Sequence, residues 1–328
     1  MTPPRGLGRL LRIAFLLVAA VVIVLTVRKQ GSGLGDAITR TGVAAAVGSL
    51  VAVLVGLLAS ALVWRALLAD LGSRLPLRTA LHVFFLGQLG KYIPGSVFAI
   101  AAQMELGRTQ GVSRSRVGTA SLLFMGVLVA SGLLVAAVAL PLTSPDALGE
   151  YFWVLLVLPV GLVCLAPPVL TRLVAVLLRV LRRDPLDRSL TWRGLGAALG
   201  WSLAMWAAYG VHIWVLLVPQ MSQHPEGSGS VPLISLGGYA LAWTVGFLFL
   251  LAPAGALLRE TVLVLALAPV LDHPEATAVA VVSRGVMTLG DLLWGGAGGL
   301  LRPKTGSDGA DVATVAPVKQ LGKAADAS

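Results

Sequence analysis

The stretch Phe84–Arg108, FFLGQLGKYIPGSVFAIAAQMELGR, sets the architecture. It is apolar enough for a membrane, yet carries Lys91, Tyr92, Pro94 and Gly95 in its middle and Glu105 and Arg108 at its end. Basic loops flank it, with Arg65, Arg74 and Arg78 before it and Arg108, Arg114 and Arg116 after it. Short Lys/Arg-rich loops stay on the cytoplasmic side, so both ends of this segment belong inside. Thr79–Met104 is too short for two crossings, which take about 40 residues. It therefore dips into the membrane and returns, with the turn at GKYIPG. Irregular backbone at that depth is tolerated only inside protein or beside a wet cavity.

The rest of the chain fits an all-α, polytopic membrane bundle. Of its 328 residues 57% are hydrophobic and 12% charged, against about a quarter charged in soluble proteins. Apolar runs long enough to cross ~30 Å of hydrocarbon recur at Leu10–Val27, Gly42–Trp64, Val117–Leu140, Tyr151–Leu170, Leu195–Val218 and Ala276–Leu300. That gives about six full spans plus two broken hairpins. The basic start and apolar run resemble a signal peptide, but VRKQ follows without a cleavage-type site, so we read an uncleaved helix.

Sidedness follows from the loops. Arg172–Arg193 holds six arginines against Asp184 and Asp187, which places it inside. Pro141–Glu150 and Pro219–Ser230 lack Lys and Arg and belong outside. Arg5, Arg9, Arg12, Arg302 and Lys304 put both termini in the cytoplasm of a cytoplasmic-membrane protein. One loop disagrees, because Arg28, Lys29 and Arg40 fall outside. The net charge of +10 thus reports membrane topology rather than nucleic-acid binding. The arginines of Arg172–Arg183 suit either an interfacial helix or a basic helix end that fixes topology.

A second interruption, LAPAGALLRE at Leu251–Glu260, lies in Leu233–Leu271, whose ends both belong outside. It offers Pro253, Gly255, Arg259 and Glu260. Pro94 precedes the span at Val117 by 23 residues, and Pro253 precedes Thr277 by 24. Paired broken segments of opposite entry side suggest an inverted repeat with a midplane site, the units being 79–140 and 233–300. The chain divides into an N-terminal helix and loop (1–41), a transmembrane domain (42–301) and a disordered cytoplasmic tail (302–328).

The candidate binding residues are the charged groups at these breaks. A broken helix frees N–H groups, and Lys91 adds positive potential for a phosphate. Snorkelling of Lys91 and an interfacial place for Tyr92 explain those residues equally. Glu105 and Arg108 sit three apart and pair on one helix face; lying near the inner loop, they suit a merely interfacial place equally. Arg259 and Glu260 lie where charge is costly and faces the protein interior, with an ion pair to Arg284 or Asp291 as the structural alternative. Arg284 and Asp291, seven apart in the last span, share a face.

Other chemistries find no support. Cys164 is the only cysteine, which leaves no disulfide framework. The four histidines, His82, His212, His224 and His273, lack metal-ligand spacing, and we expect no cofactor. Nucleotide and hydrolase motifs are missing; GGAGG at Gly295–Gly299 reads as close helix packing.

GQLGKYIPGSVFAIAAQMELGR, LAPAGALLRETVLVLAL and AVVSRGVMTLGDLL together resemble the lysylphosphatidylglycerol synthase transmembrane-region family of flippase-like membrane proteins. The resemblance covers most of Gly42–Leu300. It implies a bundle that, in the best-known members, moves an aminoacylated anionic phospholipid between leaflets. The matching positions are Lys91, Pro94, Gly95, Glu105, Arg108, Pro253, Gly255, Arg259, Glu260 and Arg284. No soluble aminoacyltransferase domain follows here, so lysyl transfer is not implied. The second break, APAGALLRE, is also poorer in glycine than the family pattern.

The expected function is translocation or handling of an anionic or aminoacylated lipid, phospholipid or polyprenyl phosphate, without enzymatic chemistry. Lys91 and Arg259 would meet phosphate, and Glu105, Glu260 and Asp291 would balance charge or accept an ammonium. The alternative is a non-transporting subunit that scaffolds a separate lipid- or polyprenyl-modifying enzyme. Expected partners are membrane lipids, together with a second copy or such an enzyme.

Overall fold

The computed structural model describes residues 5–92, 97–143, 157–180, 188–221, 230–249 and 257–302. Among these, ten α-helices form the bundle: α1 Arg5–Asp70, α2 Leu77–Gln88, α3 Val97–Arg108, α4 Arg114–Ala139, α5 Val157–Leu165, α6 Pro167–Val180, α7 Trp192–Leu217, α8 Val231–Leu248, α9 Leu258–Leu267 and α10 His273–Leu300. Among the described residues, five stretches are long and apolar enough to cross a membrane: Asp36–Asp70, Arg114–Thr143, Trp192–Leu217, Val231–Leu248 and His273–Leu300. The multi-pass helical class is thus as read from composition.

Helix α1 differs from expectation. The backbone is helical through residues 28–40, where the sequence reading places a loop between two spans. No proline occurs from Arg5 to Leu75, so nothing removes a backbone donor. The one sharp irregularity is Gly42, whose φ of 67° only glycine adopts readily. Just before it, Arg40 pairs with the buried Glu275 at the start of α10 (3.3 Å). One of the three cations that contradicted the charge rule is therefore neutralised within the bundle.

Proline also divides the span expected over Tyr151–Leu170. The described part, from Val157, forms α5 and α6, which meet at a bend at Ala166 before Pro167.

The two ends of the bundle separate as the loops predict. Gln220, after α7, donates to the Ala37 carbonyl near Arg40 (2.8 Å). Asp70, at the other end of α1, accepts from the Thr191 amide and hydroxyl (2.7 Å each). Thr191 in turn caps α7 by accepting from the Gly194 amide, and Ser113 caps α4 through the Arg116 amide. Asp272 and Glu275 form a capping box around Pro274, which starts α10 cleanly.

Both interrupted segments fold as helical hairpins. Helices α2 and α3 pack against each other with 12 residues apiece, about 18 Å each, too short to cross alone. A 3-10 turn, Leu89–Tyr92, ends the first arm. The second hairpin is unequal: α8 has 18 residues and α9 has 10. Arg259 and Glu260 therefore lie in the first turn of α9, not in the break itself. The long helix after each break begins twenty residues past its proline, at Arg114 after Pro94 and His273 after Pro253.

Glycine lets the first hairpin close. A Cβ on Gly90 would come within 2.8 Å of the Ala99 backbone, a contact that only movement of α3 relieves. We expect Gly90→Ala to cost about 1–3 kcal/mol through overpacking. Gly200→Ala on the open side of α7, with nothing within 4 Å, should instead be neutral or stabilising by about 0.5–1 kcal/mol. Thermal unfolding in detergent checks the contrast, and equal midpoints for the two variants would refute it.

Candidate functional site

Helix α10 is the wall on which both hairpins meet. The first hairpin is seated by Phe85, whose ring stacks on Trp294 (4.5 Å between centroids), and by His82, hydrogen-bonded to the Gly298 carbonyl (2.7 Å). Gly295 leaves room for Leu89, where a Cβ would lie 2.9 Å from its methyls. Gly295 and Gly298 of the glycine run thus serve close packing, whereas Gly296 and Gly299 have nothing within 4 Å.

This seating carries Lys91 and Tyr92 onto the buried Asp291. Lys91 Nζ lies 2.7 Å from Asp291 Oδ1, and the Tyr92 hydroxyl donates to Oδ2 at 2.6 Å. One carboxylate therefore holds the last two described residues before the break. Lys91 also lies 5.6 Å from the centroid of the Tyr92 ring.

Two turns earlier on α10, Arg284 pairs with Glu260 at 3.4 Å. Its neighbour Arg259 points elsewhere, with the guanidinium 4.7 Å from the centroid of Tyr239 on α8. Arg259 Nη2, Glu260 Oε2 and the Tyr239 hydroxyl are buried without a hydrogen-bond partner among the described residues. Buried polar atoms in native proteins are usually satisfied, so these three are candidates for contact with a polar ligand.

Helix α7 closes the site from behind. Tyr209 and His212 both contact the Tyr239 ring (5.4 and 5.6 Å). His212 is fully buried and bridges Ser49 of α1 to Ser283 of α10. Both ring nitrogens are satisfied by hydroxyls, the condition of a core histidine.

The two hairpins thus supply one cluster. Arg259 is within Coulombic reach of Arg284, Glu260 and Asp291, and Tyr92 of Asp291 and Arg284. Lys91, Arg259 and Arg284 bring three positive charges, and Glu260 and Asp291 bring two negative ones. Each carboxylate pairs with a cation other than Arg259, so the excess charge resides on Arg259.

Glu105 and Arg108 stand apart. They pair at 2.7 Å at the exposed end of α3, where Glu105 also takes a bond from Arg114. Those bonds, from Arg108 first and Arg114 second, hold the Glu105 carboxyl down at about 2. Pro94, Gly95, Pro253 and Gly255 lie outside the described residues. No group of three metal-ligating side chains occurs among the described residues.

Tyr209, Tyr239 and His212 were not singled out in the sequence. A signal existed: the chain has four tyrosines, and Tyr92, Tyr209 and Tyr239 converge here. A family model described as "Lysylphosphatidylglycerol synthase TM region" matches residues 10–295. No curated protein matches the chain.

Proposed function

We propose that this chain, which belongs to the lysylphosphatidylglycerol synthase TM-region family, passes the headgroup of an anionic or aminoacylated lipid between leaflets of the cytoplasmic membrane. The family is one of membrane proteins tied to lipid handling. The transport step is our own reading, and a single observation carries it: Arg259, beside a helix break, presents a buried guanidinium nitrogen with no hydrogen-bond partner among the described residues.

A lone buried cation is costly unless something neutralises it. A lipid phosphate would do so, because the other two cations of the cluster already have carboxylates. The Tyr239 ring holds the guanidinium from one face and leaves its N–H edge for the anion. Glu260 Oε2, also without a hydrogen-bond partner among the described residues, would accept an ammonium where the headgroup carries one. Lys91 is the second cation on the path, reached if phosphate replaces Asp291 on it. Both termini would face the cytoplasm, as the basic loops require.

The buried Ser49–His212 contact does not favour an enzyme, since neither residue is exposed. The test is reconstitution in liposomes with fluorescent phosphatidylglycerol in both leaflets. Reduction of the outer-leaflet label by dithionite then reports exchange. We expect most of the label to become accessible in protein-containing vesicles, and about half in empty ones, the outer-leaflet share of a symmetric bilayer. Equal bleaching in both, across phosphatidylglycerol, aminoacylated phosphatidylglycerol and polyprenyl phosphate, would exclude the reading.

A further inference from the structure

Helix α6 lies outside the proposed site and carries three distinct stripes. Leu170, Val174 and Leu178 are buried, whereas Leu173, Val176 and Val180 are 52%, 56% and 73% exposed. Arg172 and Arg179 are exposed as well. At about 100° per residue the arginines share one line, next to the exposed apolar line and away from the buried one. Pro167–Val180 contains no acidic residue.

The start of this helix is tied to the basic end of the bundle. Thr171 Oγ1 accepts from the Leu190 amide at 3.4 Å, and the next residue, Thr191, is bonded to Asp70 at the end of α1. The remainder of α6 thus departs from the level at which α1 ends and α7 begins, where hydrocarbon gives way to headgroups.

We propose that α6 lies along that membrane surface and binds anionic phospholipid headgroups through Arg172 and Arg179. Leu173, Val176 and Val180 enter the acyl-chain boundary beside them. An apolar line bordered by cations is the pattern of a helix that rests in the interface. A second copy is the poorer occupant: pairing this face with its own image sets arginine against arginine, with no acid on the helix to relieve them. The surface is independent of the transport site and stands or falls without it.

The sole cysteine, Cys164, allows a clean labelling test. In a Cys164→Ala background, Val176→Cys is labelled with bimane and the protein placed in phosphatidylcholine vesicles. Brominated phosphatidylglycerol or brominated phosphatidylcholine is then added at equal mole fraction. We expect stronger quenching by the anionic lipid, with a preference of roughly fivefold for each arginine. The preference should shrink in high salt and in Arg172→Gln/Arg179→Gln. A label at Val51, exposed on the spanning part of α1, should show no such preference. Equal quenching by the two lipids at Val176 would overturn the proposal. So would quenching by aqueous iodide with none by bromolipid, or label–label energy transfer that ignores lipid charge.

Discussion

Asp291→Asn lowers the thermal midpoint of the protein by several degrees, and Lys91→Met in the same chain restores part of the loss. The expectation follows from what the substitution leaves behind. Asp291 is 7% exposed and neutralises Lys91, which is 30% exposed. Removing one member of a buried pair costs about 3–5 kcal/mol, because the surviving charge stays desolvated. Lys91 retains some solvent, so we place the loss near 3 kcal/mol, or about 6–12 °C at ~2–4 °C per kcal/mol for a chain of this size. Asparagine also leaves a single accepting oxygen for the two donors, Lys91 and the Tyr92 hydroxyl. Lys91→Met then removes the stranded ammonium while keeping an apolar stem of similar length. A double variant no more stable than Asp291→Asn, or an Asp291→Asn midpoint equal to wild type, would refute the pairing as the tie that holds the first hairpin.

Much of this arrangement was legible in the sequence, for reasons that differ by element. The first hairpin was readable because charge on its flanks fixes both ends to one side, whatever the segment does between them. The polar positions at the second break and on α10 were readable because unpaired charge inside a membrane is costly and therefore informative. The pairing was less legible. Arg259 and Glu260 are adjacent, and which of them meets Arg284 depends on the rotational phase of α9 against α10. Tyr239 and Tyr209 escaped notice because a tyrosine within a span also suits an interfacial place. The continuous α1 was missed because Arg28, Lys29 and three nearby glycines look like a loop, although only proline would have forbidden a helix. Glu105 and Arg108 were legible as a pair but not as to place. Their spacing predicted their pairing correctly, but spacing says nothing of the exposed end they occupy.

Arg259→Ala should separate transport from folding. Its Nη2 bonds to nothing among the described residues, and Glu260 keeps Arg284 as its partner after the change. No carboxylate is orphaned, and the repulsion between Arg259 and Arg284 disappears. Against that stands the contact with the Tyr239 ring, worth about 0.5–2 kcal/mol. The thermal midpoint should therefore move by only a few degrees in either direction. Leaflet exchange should fall much further. Hydrogen bonds to a charged group contribute about 1.5–3 kcal/mol, so loss of the guanidinium at the point where phosphate is desolvated slows exchange roughly ten- to hundredfold. Arg259→Lys should fall between the two, since lysine supplies charge without the planar fork that grips a phosphate. The informative comparison is exchange per folded molecule. If Arg259→Ala folds and still exchanges lipid at the wild-type rate, the cluster is structural and phosphate crosses elsewhere. If it exchanges nothing and also fails to fold, Tyr239 and Arg259 together hold α8 against α9, and Arg259→Lys decides the matter, because it retains the cation over the ring and removes the fork alone.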